Sequence, residues 1–417
     1  MILYISIFAL IITNLFLYKF DKDPFFRSPL KMFSIATVIF YTLPAVVIGV
    51  FPFEGVFFKI NRELLAYQNL IIIIFVFVVW ITSLLIPNSK KNFVNFNFKE
   101  TKVIIISLFL LGIGNITKLY LFKLGLYSLE DTFNQSYKDI PRVLVFLRNL
   151  DLWGFIFLSI VICKNLHSKK YNFIKFIYYF EILFLVGFSI IQGRRTGAVI
   201  PLIIFILSYC FYHKLKLKKT LVPIIISLTL ILFTTFNRLV ESGTFSNFQI
   251  RNLIFEAIFT RLGNTYIMLN KVIDFGYKSN FSSFELSLTG LIPSFLLTDK
   301  PSLSIGNQFG KELGLININN VTTGINPGWI GESYYNYGII GIIVGALVFS
   351  FLINYFHKKS FFINDSSKIF LIMLFLFNFS GYQMEIAASL NNFLKGYLIL
   401  ILISGFIPRF TFRNGKK

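Results

Sequence analysis

Two adjacent arginines, Arg194 and Arg195, stand in the run Gln192-Gly193-Arg194-Arg195-Thr196-Gly197 between two apolar blocks. A guanidinium stays charged at any physiological pH, and its planar fork matches two phosphate oxygens at once. At the start of a helix, whose free N–H groups and dipole also favour anions, such a pair has the chemistry of a phosphate clamp. The structural alternative is a pair of caps that snorkel to lipid headgroups. Arg251, Arg261 and Lys271 follow on an amphipathic run, where they suit a lipid pyrophosphate or plain anionic headgroups. Glu332 is the carboxylate of the run Gly331-Glu332-Ser333-Tyr334-Tyr335-Asn336-Tyr337-Gly338, where the chain re-enters the membrane. It is expected in the first turn of a late helix, where the dipole would also favour a carboxylate for structural reasons alone. Tyr335, with Tyr334 and Tyr337, is either a platform for a sugar ring or part of an interfacial aromatic belt.

Other chemistries find little support. No GxxxxGK[ST] phosphate loop occurs, so the usual route to nucleotide hydrolysis is missing. Cys163 and Cys210 each end an apolar block beside a basic connection and read as reduced or lipid-shielded thiols, with no metal cluster and no cofactor implied. His167, His213 and His357 all fall in such basic connections. Asp299-Lys300-Pro301 sets an acid and a base side by side, which in isolation is an ordinary surface turn.

The elements that must position these residues are membrane helices. The chain has 417 residues, of which 55% are hydrophobic, and a mean hydropathy of +0.71. Its apolar residues fall in blocks long enough to span a bilayer. The net charge of +21 is carried in short clusters between those blocks, which is a topology signal rather than a sign of nucleic acid. The expected fold is all-α, a bundle of about eleven spans near 2–18, 32–52, 69–87, 103–122, 143–163, 174–192, 197–212, 220–236, 333–356, 369–384 and 391–408. It divides into N-terminal spans in 1–235, one large loop in 236–330 and C-terminal spans in 331–417. Every second connection is basic, which places those connections in the cytoplasm, the N-terminus outside, the C-terminus inside and the large loop on the outer side.

Within the loop, apolar residues at helical spacing from Ile250 to Phe275 predict an amphipathic helix on the membrane surface. Inside the spans lie Lys118, Arg148, Asp151 and Glu181. Arg148 and Asp151, three apart, are expected to neutralise each other on one helix, and Glu181 to pair with a residue from another span or to belong to a proton path. Gly341 and Gly345 form a small-xxx-small pair that lets another helix pack closely.

The arginine turn, the loop with Pro293, Asp299-Lys300-Pro301 and Gly306, and the run from Pro327-Gly328-Trp329 to Tyr337-Gly338 together resemble the O-antigen polymerase (Wzy) or oligosaccharide repeat-unit polymerase family. The likeness covers topology over most of the chain and motifs over about its second half; Ser294 stands where many relatives carry a basic residue. The resemblance implies an enzyme of the bacterial inner membrane that moves a growing glycan from undecaprenyl pyrophosphate onto the non-reducing end of the next lipid-linked unit, without a nucleotide sugar. It implies an undecaprenyl-pyrophosphate-linked oligosaccharide and membrane lipid as partners, and a chain-length regulator protein. Arg194, Arg195, Arg251, Arg261 and Lys300 would clamp the leaving pyrophosphate and Glu332 would act as base. The rival classes are a flippase or exporter, which would line a membrane-depth cavity with charge, and an O-antigen ligase, which resembles a design with an outer-face histidine.

Overall fold

The computed structural model describes residues 1–20, 28–50, 60–85, 100–125, 142–191, 195–213, 229, 263–277, 305–312, 327–360, 386–387, 389–391 and 393–394, and among them there is no strand. The helices are α1 (Ile2–Phe20), α2 (Pro29–Thr37), α3 (Leu43–Val50), α4 (Leu65–Leu85), α5 (Glu100–Lys123), α6 (Arg142–Leu147), α7 (Leu150–Lys164), α8 (Asn172–Ile191), α9 (Arg195–Tyr212), α10 (Asn264–Phe275), α11 (Ile305–Glu312), α12 (Gly328–Tyr335) and α13 (Gly338–Ser360). Five stretches are long and apolar enough to cross a membrane: Ile2–Phe20, Leu30–Gly49, Leu65–Leu85, Glu100–Lys123 and Lys169–Ser189. Ile200–Tyr212 and Gly338–Asn354 are shorter apolar helices. Large apolar side chains such as Phe8, Phe16, Phe173 and Leu183 point outward. Rows of this kind would drive aggregation in water and are at home against lipid. The protein is therefore an all-α, membrane-embedded one.

Local sequence explains the breaks. Ser28 caps α2 by accepting the Lys31 N–H at 3.0 Å, ahead of Pro29, whose missing N–H costs nothing at that position. A π turn, Val38–Thr42, joins α2 to α3 in one continuous rod. The rod lies antiparallel to α1, since Ser34 Oγ donates to the Asn14 carbonyl at 2.8 Å while a Cβ on Gly49 would meet Ile7 and Leu3. On the other side α4 runs parallel to α1, with Asn69 Nδ2 on Ser6 Oγ at 3.0 Å and Phe20 edge-on to Trp80. It also runs parallel to α13, where Ser350 Oγ donates to the Val79 carbonyl and Asn354 Nδ2 to Ser83 Oγ. These buried amides and hydroxyls hold helices that lipid would not press together.

A second packing group is built from α5, α7, α8 and α9. Gly114 and Gly154 bring α5 and α7 backbone to backbone, for a Cβ on either would fall 2.5 to 2.6 Å from main-chain atoms of the other helix. Ser159 joins three helices, meeting Tyr178 Oη at 2.9 Å and donating to Ser208 Oγ at 2.8 Å. At the far end Lys164 and Tyr171 both donate to the Glu100 carboxylate at 2.8 Å.

Several expectations are corrected. The span expected at 143–163 is broken by a turn at Arg148 and Asn149, so α7 begins at Leu150 and Arg148 does not share a helix with Asp151. Asp151 instead forms an ion pair with Lys118 of α5. Glu181 does pair across helices, both its oxygens accepting from Asn115 Nδ2 at 3.0 and 2.9 Å. The span expected from 333 starts at Gly338, whose φ of +58° makes the turn out of the separate helix α12. The spans expected at 369–384 and, apart from single residues, at 220–236 and 391–408 lie outside the described residues.

Candidate functional site

Two short helices, α10 and α12, are folded into one end of the bundle rather than laid on its surface. The part of the expected surface helix that the structure describes, α10, is buried from Thr265 to Asn270 and again at Val272 and Ile273. Burial on nearly every side is the signature of a core helix, so the surface placement is corrected. The reason is a relay of amides that periodicity cannot display. Asn270 grips the backbone of Asn61, accepting its N–H at 2.8 Å and donating to its carbonyl at 3.0 Å, and also donates to Gln68 Oε1 at 2.9 Å. Gln68 Nε2 donates to the Tyr266 carbonyl at 2.6 Å, and Tyr266 Oη donates to Asn69 Oδ1 at 2.8 Å. Burial raises the Tyr266 hydroxyl well above the usual tyrosine range, so it remains a donor.

Helix α12 turns back against α13. Trp329 Nε1 donates to the Gly345 carbonyl at 3.2 Å and its ring sits edge-on to Phe349, so the Pro327 end of α12 lies deeper than its Tyr335 end. Gly345 is about 10 Å down α13 at a rise of ~1.5 Å per residue. Gly341 and Gly345 make the fold-back possible, because a Cβ on either would collide with Ser333. The expected small-residue seam therefore serves α12, the segment just before it in the chain. With α10 beside it, α12 makes a polar, tyrosine-rich wall at the bundle end where α1 and α4 begin.

Glu332 lies in the second turn of α12, not in the first turn of a spanning helix, and is 0% exposed. Its Oε2 accepts the backbone N–H of Ile386 at 2.6 Å, tying α12 to the C-terminal part of the chain. That is a joint between elements. Tyr335, expected in a sugar platform or an aromatic belt, is packed into the wall. Its ring stands edge-on to Phe309 with centroids 5.3 Å apart, its hydroxyl donates to the Glu312 carboxylate, and it is 4% exposed. Helix α9 begins at Arg195, so this arginine does open a helix. Arg194, Arg251, Arg261 and Lys300 lie outside the described residues. Asn61, Gln68, Asn69 and Asn270 are not among the residues the sequence singles out. Their signal was present as amides at the edge of the apolar block 69–87 and inside the amphipathic run.

The tie at Glu332 predicts a distinction between two substitutions. Glu332→Gln keeps an oxygen for the Ile386 N–H and should leave folding near wild type. Glu332→Leu strands that buried donor and should cost about 1 to 3 kcal/mol. Thermal melts of the purified variants give the comparison, and equal losses for both would refute the joint.

Compared with models of known protein families, with curated proteins and with solved structures, the chain matches none.

Proposed function

We propose that the protein is a polymerase of undecaprenyl-pyrophosphate-linked oligosaccharide repeat units, of the O-antigen or a related surface polysaccharide, with membrane lipid and a chain-length regulator as further partners. In this reading it is a multi-pass protein of the bacterial inner membrane with about eleven spans. The α10–α12 wall faces outward and the 236–330 stretch contributes to the site instead of forming a separate domain. The observation that carries the reading is that wall. It joins two short helices rich in amides and tyrosines, α10 and α12, at one end of a bundle of longer apolar helices, which is what a site for a lipid-linked saccharide needs. Arg194, Arg195, Arg251, Arg261 and Lys300 are the proposed clamps for the pyrophosphate that leaves, by stabilising the charge that develops on it. Glu332 holds the wall to the C-terminal helices, and as a base it would require the Ile386 contact to open.

Reconstitution with purified lipid-linked repeat unit tests the reading. Wild type should yield a ladder of longer lipid-linked glycans, and Arg194→Ala/Arg195→Ala should slow chain growth about 10²-fold or more. An unchanged ladder in that variant would reduce the pair to helix caps. Transport of the unit across vesicles with no ladder would overturn the polymerase.

That outcome would favour the second reading, a lipid-linked oligosaccharide flippase or exporter. A specific observation supports it: Lys118, Asp151 and Glu181, from three helices, are drawn together with Asn115, and ionisable groups inside a membrane bundle commonly mark a translocation path. A ligase is less favoured, because His167 and His213 meet each other beside the Lys164 end and not at the tyrosine wall.

A further inference from the structure

The geometry points to Tyr277, Asp274 and Asn61 as a saccharide-binding platform at the rim of the wall: a stacking ring beside a pre-aligned carboxylate and amide. Tyr277 follows α10 directly after Gly276, whose φ of +95° turns the chain. It is the open member of a tyrosine row, at 56% exposed. Tyr67 stands edge-on to Tyr334 with centroids 6.4 Å apart, and Tyr334 edge-on to Tyr277 at 6.2 Å. Gly338 fixes the ring from beneath, because a Cβ there would fall 3.1 to 3.3 Å from three ring carbons of Tyr277. The ring is thus held in place while more than half of the residue remains open.

The polar partners are equally fixed. Asn270 clamps the main chain of Asn61 on both sides, and Asn61 Nδ2 then donates to Asp274 Oδ1 at 2.8 Å. Asp274 is exposed. Among the described residues, Arg62 and Lys271 are the cations and Glu63 and Asp274 the anions of these two segments. A held aromatic face stacks on the C–H face of a pyranose, and a carboxylate oxygen accepts from its hydroxyls. Groups already locked in place lose little entropy on binding such a ligand. A ring acting merely as a lipid anchor needs neither the neighbouring carboxylate nor the clamp behind it.

The choice of a bacterial glycan as ligand rests on the reading proposed above. The probe is the oligosaccharide freed by mild acid from the lipid-linked pool of cells that make the protein. It is tested against the full-length protein in nanodiscs by saturation-transfer NMR. Wild type should transfer saturation to pyranose C–H protons. Tyr277→Ala should weaken binding about tenfold, Tyr277→Phe should retain it, and Asp274→Asn should weaken it a few-fold. If Tyr277→Ala fails to fold, the comparison of Asp274→Asn with Tyr277→Phe decides. No transfer with wild type overturns the platform, as does wild-type affinity in both Tyr277→Ala and Asp274→Asn. A variant whose only change is in its dependence on lipid composition makes Tyr277 an interface anchor and likewise overturns it. A wild type that lengthens lipid-linked units but ignores the free oligosaccharide would defeat this inference and leave the polymerase standing. Tyr277-dependent binding without a ladder would do the reverse.

Discussion

Alanine at Asp151 is expected to remove about 3 to 5 kcal/mol of stability, the usual consequence of leaving one member of a buried ion pair without its counter-charge. Asp151 is 1% exposed, in the first turn of α7, and its partner Lys118 reaches it from α5 at the crossing where Gly114 sits against the Asp151 backbone. Lys118→Met alone should be nearly as harmful, since it strands the carboxylate beside Glu181. The informative variant is the double, Lys118→Met with Asp151→Leu, which removes both charges together and should recover most of the loss. Thermal unfolding of wild type, Lys118→Met, Asp151→Leu and the double variant in one detergent completes the cycle. Strictly additive single effects would mean that the two groups do not act as a pair.

Gly341→Ala is expected to have the second large effect. The added methyl would run into the Ser333 carbonyl, a main-chain atom that cannot swing aside, so α12 must lift from α13. Overpacking of this kind costs about 1 to 3 kcal/mol, and more when backbone has to move. Lifting α12 would also draw Trp329 from its place over Gly345 and Phe349, so its emission should shift along with the loss of stability. Gly112 supplies the control. A Cβ there meets nothing within 4 Å, and alanine in its place should be neutral or gain up to about 1 kcal/mol of helix propensity. If the two alanine variants melt alike, close approach at Gly341 is not what holds α12 down.

The long apolar helices could be read from the chain because their signal is local. Twenty consecutive residues such as those of α4 carry their own instruction to cross a bilayer, and the breaks at Lys19 and Lys123 are written in charge. What could not be read depended on partners remote in sequence. The spacing of Arg148 and Asp151 suggested a local pair, but a turn at Asn149 and a lysine more than thirty residues upstream decided the matter. Apolar spacing in α10 was taken as one wet face and one dry face. Asn270 is buried because Asn61 and Gln68 take up its hydrogen bonds. The glycine seam was recognised, though its occupant was not: the helix that fills it is the one immediately preceding it. At the wall, the tyrosines of 334–337 drew attention as a motif, whereas the exposed ring, Tyr277, has no motif around it and is made distinctive only by what packs beneath it.

The amide relay also has a consequence for how the protein is made. Gln68 and Asn69 leave the ribosome about 200 residues before Tyr266 and Asn270, which complete their hydrogen bonds. At roughly 5 to 20 residues per second, translation leaves these two side chains without their final partners for about 10 to 40 seconds at the edge of the bilayer. During that interval the half-built bundle carries a polar seam without its partners, and a chain truncated before residue 264 should be degraded faster than the full-length protein in a pulse-chase experiment. The helix that closes the tyrosine wall is thus also the last partner for which this seam waits.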